Sequence, residues 1–204
     1  MDTKENIADY FKRHQEAINT IDVDSVHRVA KAMLECYENN GTIYIIGNGG
    51  SASTASHICG DFIKGVSYGL PNRFKMVCFS DNITSMMAIA NDISYDDIFV
   101  EPLKNFGQPQ DLLIGISGSG NSTNVVKAFD YALQEGIKTV ALCGYSGGKI
   151  KAMADEVIHV NINDMEIAED LHLAIFHAIK QAIINLLKGS LNGTMGGQYD
   201  ARVK

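Results

Sequence analysis

The sequence predicts an α/β fold in which helices cover both faces of a parallel β-sheet. Five short β-rich segments alternate with helical segments along the chain, a pattern typical of successive βαβ units. Most of the β-rich segments are apolar throughout, as expected for strands that are buried on both faces. The chain has 204 residues, of which 46% are hydrophobic and 20% charged, so it can fill one domain with a substantial core.

Two helices are predicted before the sheet, and they form an N-terminal segment over residues 1–40. The first covers residues 3–20 and has a sparse apolar stripe that could pack against a partner subunit as easily as against the sheet. In the second, apolar residues recur at helical spacing from Val26 to Tyr37, and Gly41 is a natural stop.

An α/β core is predicted over residues 41–188. Its strands are predicted at residues 42–47, 74–80, 112–117, 139–144 and 156–162. Helices are predicted at residues 51–65, 82–105, 122–135 and 148–154, and a long C-terminal helix runs from Met165 to Lys188. Residues 189–204 are rich in glycine and are predicted to form a flexible tail. No linker divides the chain, so a single domain over residues 1–204 is expected.

Composition and charge argue against several functional classes. The formal net charge of −7 repels phosphate polymers, so no direct nucleic-acid partner is expected. The first twenty residues lack the apolar core of a signal peptide, and no apolar run approaches the ~18 residues of a membrane span. A cytoplasmic protein without membrane association is therefore expected. The four cysteines are expected to be buried, reduced thiols, because their spacing suggests neither a disulfide framework nor a zinc knuckle.

Two loops rich in glycine and serine are the main candidates for a ligand site. The first, residues 47–53 (GNGGSAS), follows the first strand, and the second, residues 117–123 (SGSGNST), follows the third. In open parallel sheets, ligands bind outside the carboxyl ends of the strands, where such loops gather. Helix capping would account for one such loop, but two at the same sheet edge favour a binding pocket.

The second loop is the better candidate for a phosphate site. Ser117, Ser119, Ser122 and Thr123 offer hydroxyl donors, and the glycines let the backbone approach a ligand closely. The helix that follows points its free amides and positive dipole end at the loop. The loop has no lysine, so the prediction is a neutral, hydroxyl-lined phosphate site that differs from a nucleotide P-loop.

A dinucleotide site is the alternative for the first loop. Gly47, Gly49 and Ala52 loosely fit the fingerprint of NAD-dependent oxidoreductases. That fingerprint expects an acidic residue about 20 residues further on. Asp81, which ends the next strand, lies more than thirty residues away, so this alternative is the less favoured one.

Histidines and carboxylates on two helices form a candidate metal or acid–base site. His57 and Asp61 are four residues apart and face the same side of the helix after the first loop. On the C-terminal helix, Glu166 and Glu169 lie on or near the face of His177. Either group alone could equally be an ordinary solvated face, and spacing does not decide between the two interpretations.

The motifs together resemble those of a known family. The chain contains GNGGSAST with a histidine three residues on, AND ending at Asp92, ISGSGNST, GYSGGK and a histidine-bearing C-terminal helix. This combination resembles the phosphoheptose (sedoheptulose 7-phosphate) isomerases of the sugar isomerase (SIS) domain superfamily over nearly the whole chain. The resemblance implies a three-layer αβα sandwich with a five-stranded parallel, flavodoxin-like sheet. It also implies a homotetramer with active sites between subunits.

The resemblance further implies the residues of the site. Those that would bind the sugar and its phosphate are Asn48, Gly49, Gly50, Ser51, Asn91, Asp92, Ser117, Gly118, Ser119, Ser122 and Glu169. Those that would hold one zinc ion per subunit are His57, Asp61, Glu169 and His177. Asp61 and His177 would also be the catalytic base and acid, and Glu166 lies where the family has another acid near the substrate.

The implied reaction is the conversion of sedoheptulose 7-phosphate to D-glycero-D-manno-heptose 7-phosphate through a metal-stabilised enediolate. The alternative within the superfamily is a non-catalytic protein, either a regulator that binds sugar phosphates or an adaptor for the replication initiator protein. Relatives resembling the adaptor lack the metal-site histidine of the last helix. His177 is present here and favours an enzyme.

Three positions depart from the family pattern. Asp61 stands where the isomerases carry glutamate, and Glu169 stands where they carry glutamine. These two changes could form a re-tuned metal site or indicate a different substrate. Gly65 takes the place of an arginine, and the adjacent Lys64 is the candidate for supplying the missing charge.

Overall fold

A computed structural model describes residues 2–189 and has a five-stranded, all-parallel sheet at its centre. The strands are β1 (Thr42–Gly47), β2 (Lys75–Cys78), β3 (Leu112–Ser117), β4 (Lys138–Cys143) and β5 (Glu156–His159). Their order across the sheet is β2-β1-β3-β4-β5, the flavodoxin-like arrangement. The predicted fold class is confirmed. Residues 190–204, most of the predicted tail, lie outside the described residues.

Eight α-helices connect and flank the strands within residues 2–189. They are α1 (Thr3–Ile18), α2 (Val23–Glu38), α3 (Gly50–Gly60), α4 (Ile83–Asp92), α5 (Val100–Phe106), α6 (Thr123–Gln134), α7 (Gly148–Met153) and α8 (Met165–Gly189). Short 3₁₀ turns lie at Phe79–Asp81 and Tyr95–Asp97, and a π-helical turn over Asp61–Val66 extends α3. Turns of this π type are rare and are often found at functional sites.

Two apolar layers hold the sheet, one on each face. Ile43 and Ile45 of β1 belong to a cluster that includes side chains of α2, α3 and α8. Tyr44 and Ile46 belong to a second cluster, with side chains of α5, α6 and α7. Successive residues of a strand point to opposite faces, so an apolar run such as that of β1 supplies both layers.

The segment predicted as one helix over residues 82–105 is broken into α4, a 3₁₀ turn and α5. Ser94 has an extended backbone, and its side chain accepts a hydrogen bond from the amide of Asp96. Serine competes for backbone amides in this way at the start of turns and helices. The apolar periodicity runs through the break and therefore did not predict it.

The N-terminal helix is attached to the rest of the chain mainly through polar contacts. The Tyr10 hydroxyl donates a 2.5 Å hydrogen bond to Asp170 of α8, and Arg13 forms an ion pair with Asp164. Ala17 is the one buried residue of α1. The apolar stripe predicted for this helix is thus largely left exposed.

No helix within residues 2–189 is both long and apolar enough to cross a membrane. The four cysteines are all buried and form no disulfide, as the sequence predicted.

Candidate active site

The two glycine- and serine-rich loops lie side by side at the carboxyl edge of the sheet. The first follows β1 and the second follows β3, and these strands are paired, with Gly47 opposite Ile116. The strand order reverses between β1 and β3, which is where ligands bind in open α/β sheets. The topology therefore places the two loops at the expected binding position.

A cavity of about 250 Å³ opens between the loops and the start of α8. Its lining residues are Asn48, Gly49, Gly50, Ser51, Ile116, Ser117, Gly118, Ser119, Ser122, Met165 and Glu169. Nine of the eleven residues predicted to bind the sugar and phosphate are in this set; Asn91 and Asp92 are the exceptions. The structure therefore brings together residues separated by more than one hundred positions in the sequence.

The serine side chains of the second loop converge on one end of α6. The Oγ atoms of Ser117 and Ser122 are 3.2 Å apart, and the amide of Gly120 donates to Ser117 Oγ at 3.1 Å. Ser122 occupies the N-cap position of α6 but makes no capping hydrogen bond with its side chain. Its hydroxyl therefore remains directed into the loop, next to the free amides of a helix start, and this combination suits a phosphate.

An amide pair joins the two loops. Asn48 and Asn124 exchange two side-chain hydrogen bonds, of 2.9 and 3.0 Å, and the Tyr95 hydroxyl donates to Asn48 at 3.0 Å. Asn124 is 1% exposed, so its amide is a buried, satisfied group. Neither Asn124 nor Tyr95 was among the predicted site residues, although Asn124 directly follows the second loop and is a polar residue like the serines.

Glu169 faces the cavity from α8, against the first loop. A Cβ atom at Gly50 would overlap the Glu169 carboxylate, so a larger residue here would force this side chain to move away from the first loop. Partial burial raises the pKa of Glu169 above its ordinary value, and the nearby carboxylates of Glu166 and Asp170 raise this pKa further. The Ser51 amide, which donates to the carboxylate, opposes this shift.

His57, Asp61 and His177 form a cluster in which the two imidazoles and one carboxylate oxygen point at a common position. The two Nε2 atoms are 3.0 Å apart, and each lies 3.6 Å from Oδ2 of Asp61. One ligand atom of each residue lies within 4.8 Å of the other two. Oδ2 is buried without a hydrogen-bond partner among the described residues. An unpaired buried oxygen beside two imidazoles fits a divalent cation such as zinc.

Glu169 is not part of this cluster, although it was predicted as the fourth metal ligand. It precedes His177 by eight residues on α8, which is about 12 Å along the helix axis. Its carboxylate lies instead against Gly50 and Ser51. The structure thus assembles three of the four predicted ligands, and metal binding by Glu169 stays a prediction.

Asn91 and Asp92 lie outside the cavity. Both are exposed at the end of α4, where the Asn91 amide donates to Asp92 at 2.7 Å. Their predicted approach to the substrate stays a prediction. A separate open cleft of about 480 Å³ adjoins His57, and its other lining residues are Ala52, Ser53, Ser56, Ser80 and Asp81.

Comparison with known proteins shows similarity over most of the chain. The model of the SIS domain family matches residues 7–144. The chain is 33% identical over 178 residues to a probable phosphoheptose isomerase of Thermoplasma volcanium, covering 87% of this chain and 90% of that protein. It is 34% identical over 184 residues to a phosphoheptose isomerase of Helicobacter pylori, covering 85% and 91% of the two chains.

Solved structures show the same similarity in three dimensions. The phosphoheptose isomerase of Neisseria gonorrhoeae superposes with a TM-score of 0.82 at 31% identity, covering 89% of this chain and 98% of that one. A phosphoheptose isomerase from Francisella tularensis gives a TM-score of 0.84 at 26% identity, covering 91% and 100%.

Proposed function

The chain belongs to the phosphoheptose isomerase family of SIS-domain proteins, and we propose that it has the reaction of that family. This reaction converts sedoheptulose 7-phosphate to D-glycero-D-manno-heptose 7-phosphate. One observation carries the proposal. A single cavity combines a hydroxyl-lined loop at a helix start with a carboxylate, Glu169, whose pKa is raised. An aldose–ketose isomerase needs a phosphate anchor together with proton-transfer groups, and this cavity supplies the anchor and one candidate carboxylate.

The phosphate end of the substrate is assigned to the second loop. Ser117, Ser119 and Ser122 would donate hydroxyl hydrogen bonds, and the α6 amides would add their dipoles. The first loop, held in place by the Asn48–Asn124 amide pair, would bind the sugar hydroxyls. Binding energy from the phosphate can then be used to orient the reacting carbons.

The reaction moves one proton between adjacent carbons. A base removes a proton from C1 of the ketose while an acid protonates the oxygen on C2, which gives an enediol. Return of a proton to C2 and loss of the proton on O1 complete the aldose. We assign the base to Asp61 and the acid to His177, whose Oδ2 and Nε2 atoms are 3.6 Å apart; each atom can take part in proton transfer only while it is not bound to a cation.

A zinc ion held by His57, Asp61 and His177 would stabilise the negative charge that develops on the sugar oxygen. Glu169 is a second candidate for the base, since it lines the cavity and partial burial raises its pKa above the ordinary value. The two carboxylates can be distinguished by substitution.

The test follows aldose formation from sedoheptulose 7-phosphate, with and without a chelator. We expect turnover that the chelator abolishes and that added zinc restores. Asp61→Asn should lower kcat by about 100-fold or more while stabilisation of the protein by sugar phosphate is retained. Glu169→Gln should have the smaller effect, and Asp130→Asn, an exposed position on α6, serves as the matched control.

Other outcomes would change the assignment. A larger loss in Glu169→Gln than in Asp61→Asn would move the base to Glu169. Stabilisation by sugar phosphates without any turnover by the zinc-loaded protein would contradict the isomerase and identify a sugar-phosphate-binding regulator.

We also propose that the enzyme is a cytoplasmic homotetramer with active sites between subunits. Four buried, unpaired cysteines suit a reducing compartment. The exposed positions of Asn91 and Asp92, outside the cavity of the single chain, support a site that a neighbouring subunit completes.

A further inference from the structure

Lys180 is a charged residue beside the candidate cation site that none of the sequence motifs includes. Its Nζ lies 2.6 Å from Oδ1 of Asp61, and the two side chains are only 19% and 21% exposed. Lys180 follows His177 by three residues on α8, so both side chains project from the same face of the helix. An ion pair with this degree of burial is held more firmly than one at the open surface.

The contact divides the two oxygens of Asp61 between different neighbours. Oδ1 is paired with Lys180, whereas Oδ2 lies 3.6 Å from the Nε2 atoms of His57 and His177. Oδ2 has no hydrogen-bond partner within residues 2–189. A carboxylate anchored through one oxygen cannot rotate freely, so its other oxygen keeps a fixed direction.

Gly65 leaves the space through which Lys180 reaches Asp61. A Cβ atom at Gly65 would lie 3.3 Å from Cε and 3.5 Å from Nζ of Lys180. A longer side chain at this position would compete with Lys180 for the same volume. The π-helical turn that begins at Asp61 therefore has room for the lysine side chain that reaches it from α8.

We propose that Lys180 is a positioning residue of the cation site, which anchors Asp61 through Oδ1 so that Oδ2 points to where His57 and His177 converge. This proposal concerns the same site as the proposed function, and it depends on that function only for the identity of the reaction. Lys180 places a positive charge beside Asp61, and the role of Lys64 stays a prediction.

The test is a titration of the chelator-treated, full-length protein with Zn²⁺ alone, followed calorimetrically. Lys180→Met keeps the apolar stem but removes the charge, and we expect its Zn²⁺ affinity to fall about 10- to 100-fold. Lys180→Arg, which can still pair with Asp61, should retain more of the affinity than Lys180→Met. Lys104→Met is the matched control, because it removes another 2.6 Å lysine–carboxylate pair, with Glu101 on α5.

The proposal would be overturned if Lys180→Met bound Zn²⁺ as tightly as the parent protein, or more tightly. Lys180 would then not help Asp61 to bind the cation but would compete with the cation for it.

Circular dichroism and thermal unfolding check that each variant is folded. If Lys180→Met fails to fold, the comparison of Lys180→Gln with Lys180→Arg decides the question by the same criterion. A parent protein that binds Zn²⁺ but does not isomerise contradicts the proposed reaction only, whereas a parent that binds no Zn²⁺ overturns the role of Lys180.

Discussion

His172 is a fully buried histidine on α8, and neither of its ring nitrogens has a hydrogen-bond partner among the described residues. Burial lowers its pKa from 6.5 to about 4. The nearby His159 contributes to this lowered pKa, and the Cys143 backbone opposes the shift. His172 has no role in the proposed reaction, so the lowered pKa of its imidazole affects the stability of the protein.

The stability of the protein should therefore fall in mild acid. Between pH 6.5 and about 4 the unfolded chain binds a proton at His172 that the folded chain excludes, so lowering the pH favours unfolding. The contribution is absent above pH 6.5 and reaches about 3 kcal/mol at the low end of this window. Urea unfolding of the parent and of His172→Leu at several pH values measures it.

His172→Leu should lose this part of the pH dependence. At pH 7.5 the variant should be at least as stable as the parent, because two unpaired buried nitrogens are removed. Parallel pH profiles for the two proteins would contradict the assignment to His172.

Among the elements, the second loop depends on its contact with the loop that precedes α7. Gly120 has a φ of +66°, and a Cβ atom there would overlap the carbonyl oxygen of Gly147. The Gly120 carbonyl also accepts a hydrogen bond from the amide of Ile150. Both features fix the backbone on which Ser117 and Ser122 are carried, so the geometry of the phosphate site depends on a loop that contributes no side chain to it.

Gly120→Ala should therefore lower both the stability and the affinity for sugar phosphate. The left-handed backbone and the overlap together should cost about 3 kcal/mol or more. Gly136→Ala is the control, since Gly136 has a similar φ of +70° with nothing near a Cβ atom, and it should cost only about 1 kcal/mol. Denaturant unfolding of both variants measures the difference, and equal losses would contradict the importance of the Gly147 contact.

At the scale of the molecule, α1 carries an apolar surface that the single chain does not cover. Ile7, Phe11 and Ile18 are 54%, 65% and 43% exposed, and their spacing places them on one face of the helix. Exposed apolar side chains grouped in this way are typical of protein–protein interfaces. The α4 helix, which has no buried residue, presents further exposed apolar side chains.

We expect the α1 face to be part of a subunit interface. Phe11→Asp, alone or with Ile7→Asp, should shift the native mass, measured by light scattering after gel filtration, towards smaller species. Glu16→Ala, on the opposite face of the same helix, should leave the mass unchanged. A parent protein that is already monomeric at micromolar concentration would contradict the proposed tetramer.

The sequence by itself determined the fold class and the position of the cavity between the two loops, because both follow from local patterns. Apolar runs buried on both faces predicted parallel strands, and the glycines and serines of residues 47–53 and 117–123 predicted the loops that line the cavity. The break at Ser94 and the π-helical turn at Asp61 escaped prediction, since a single side-chain hydrogen bond or one extra residue in a turn hardly changes the apolar pattern.

Only the tertiary structure decided which polar groups meet across distant segments. The tertiary structure brings Lys180 to Asp61 and pairs Asn48 with Asn124, although the two residues of each pair are far apart in the chain. It also buries His172. Nothing in the local sequence indicates these three features. It likewise separated Glu169 from His57, Asp61 and His177. The physical reason is that such contacts depend on how the helices pack on both faces of the sheet, and this geometry is set by the whole core at once.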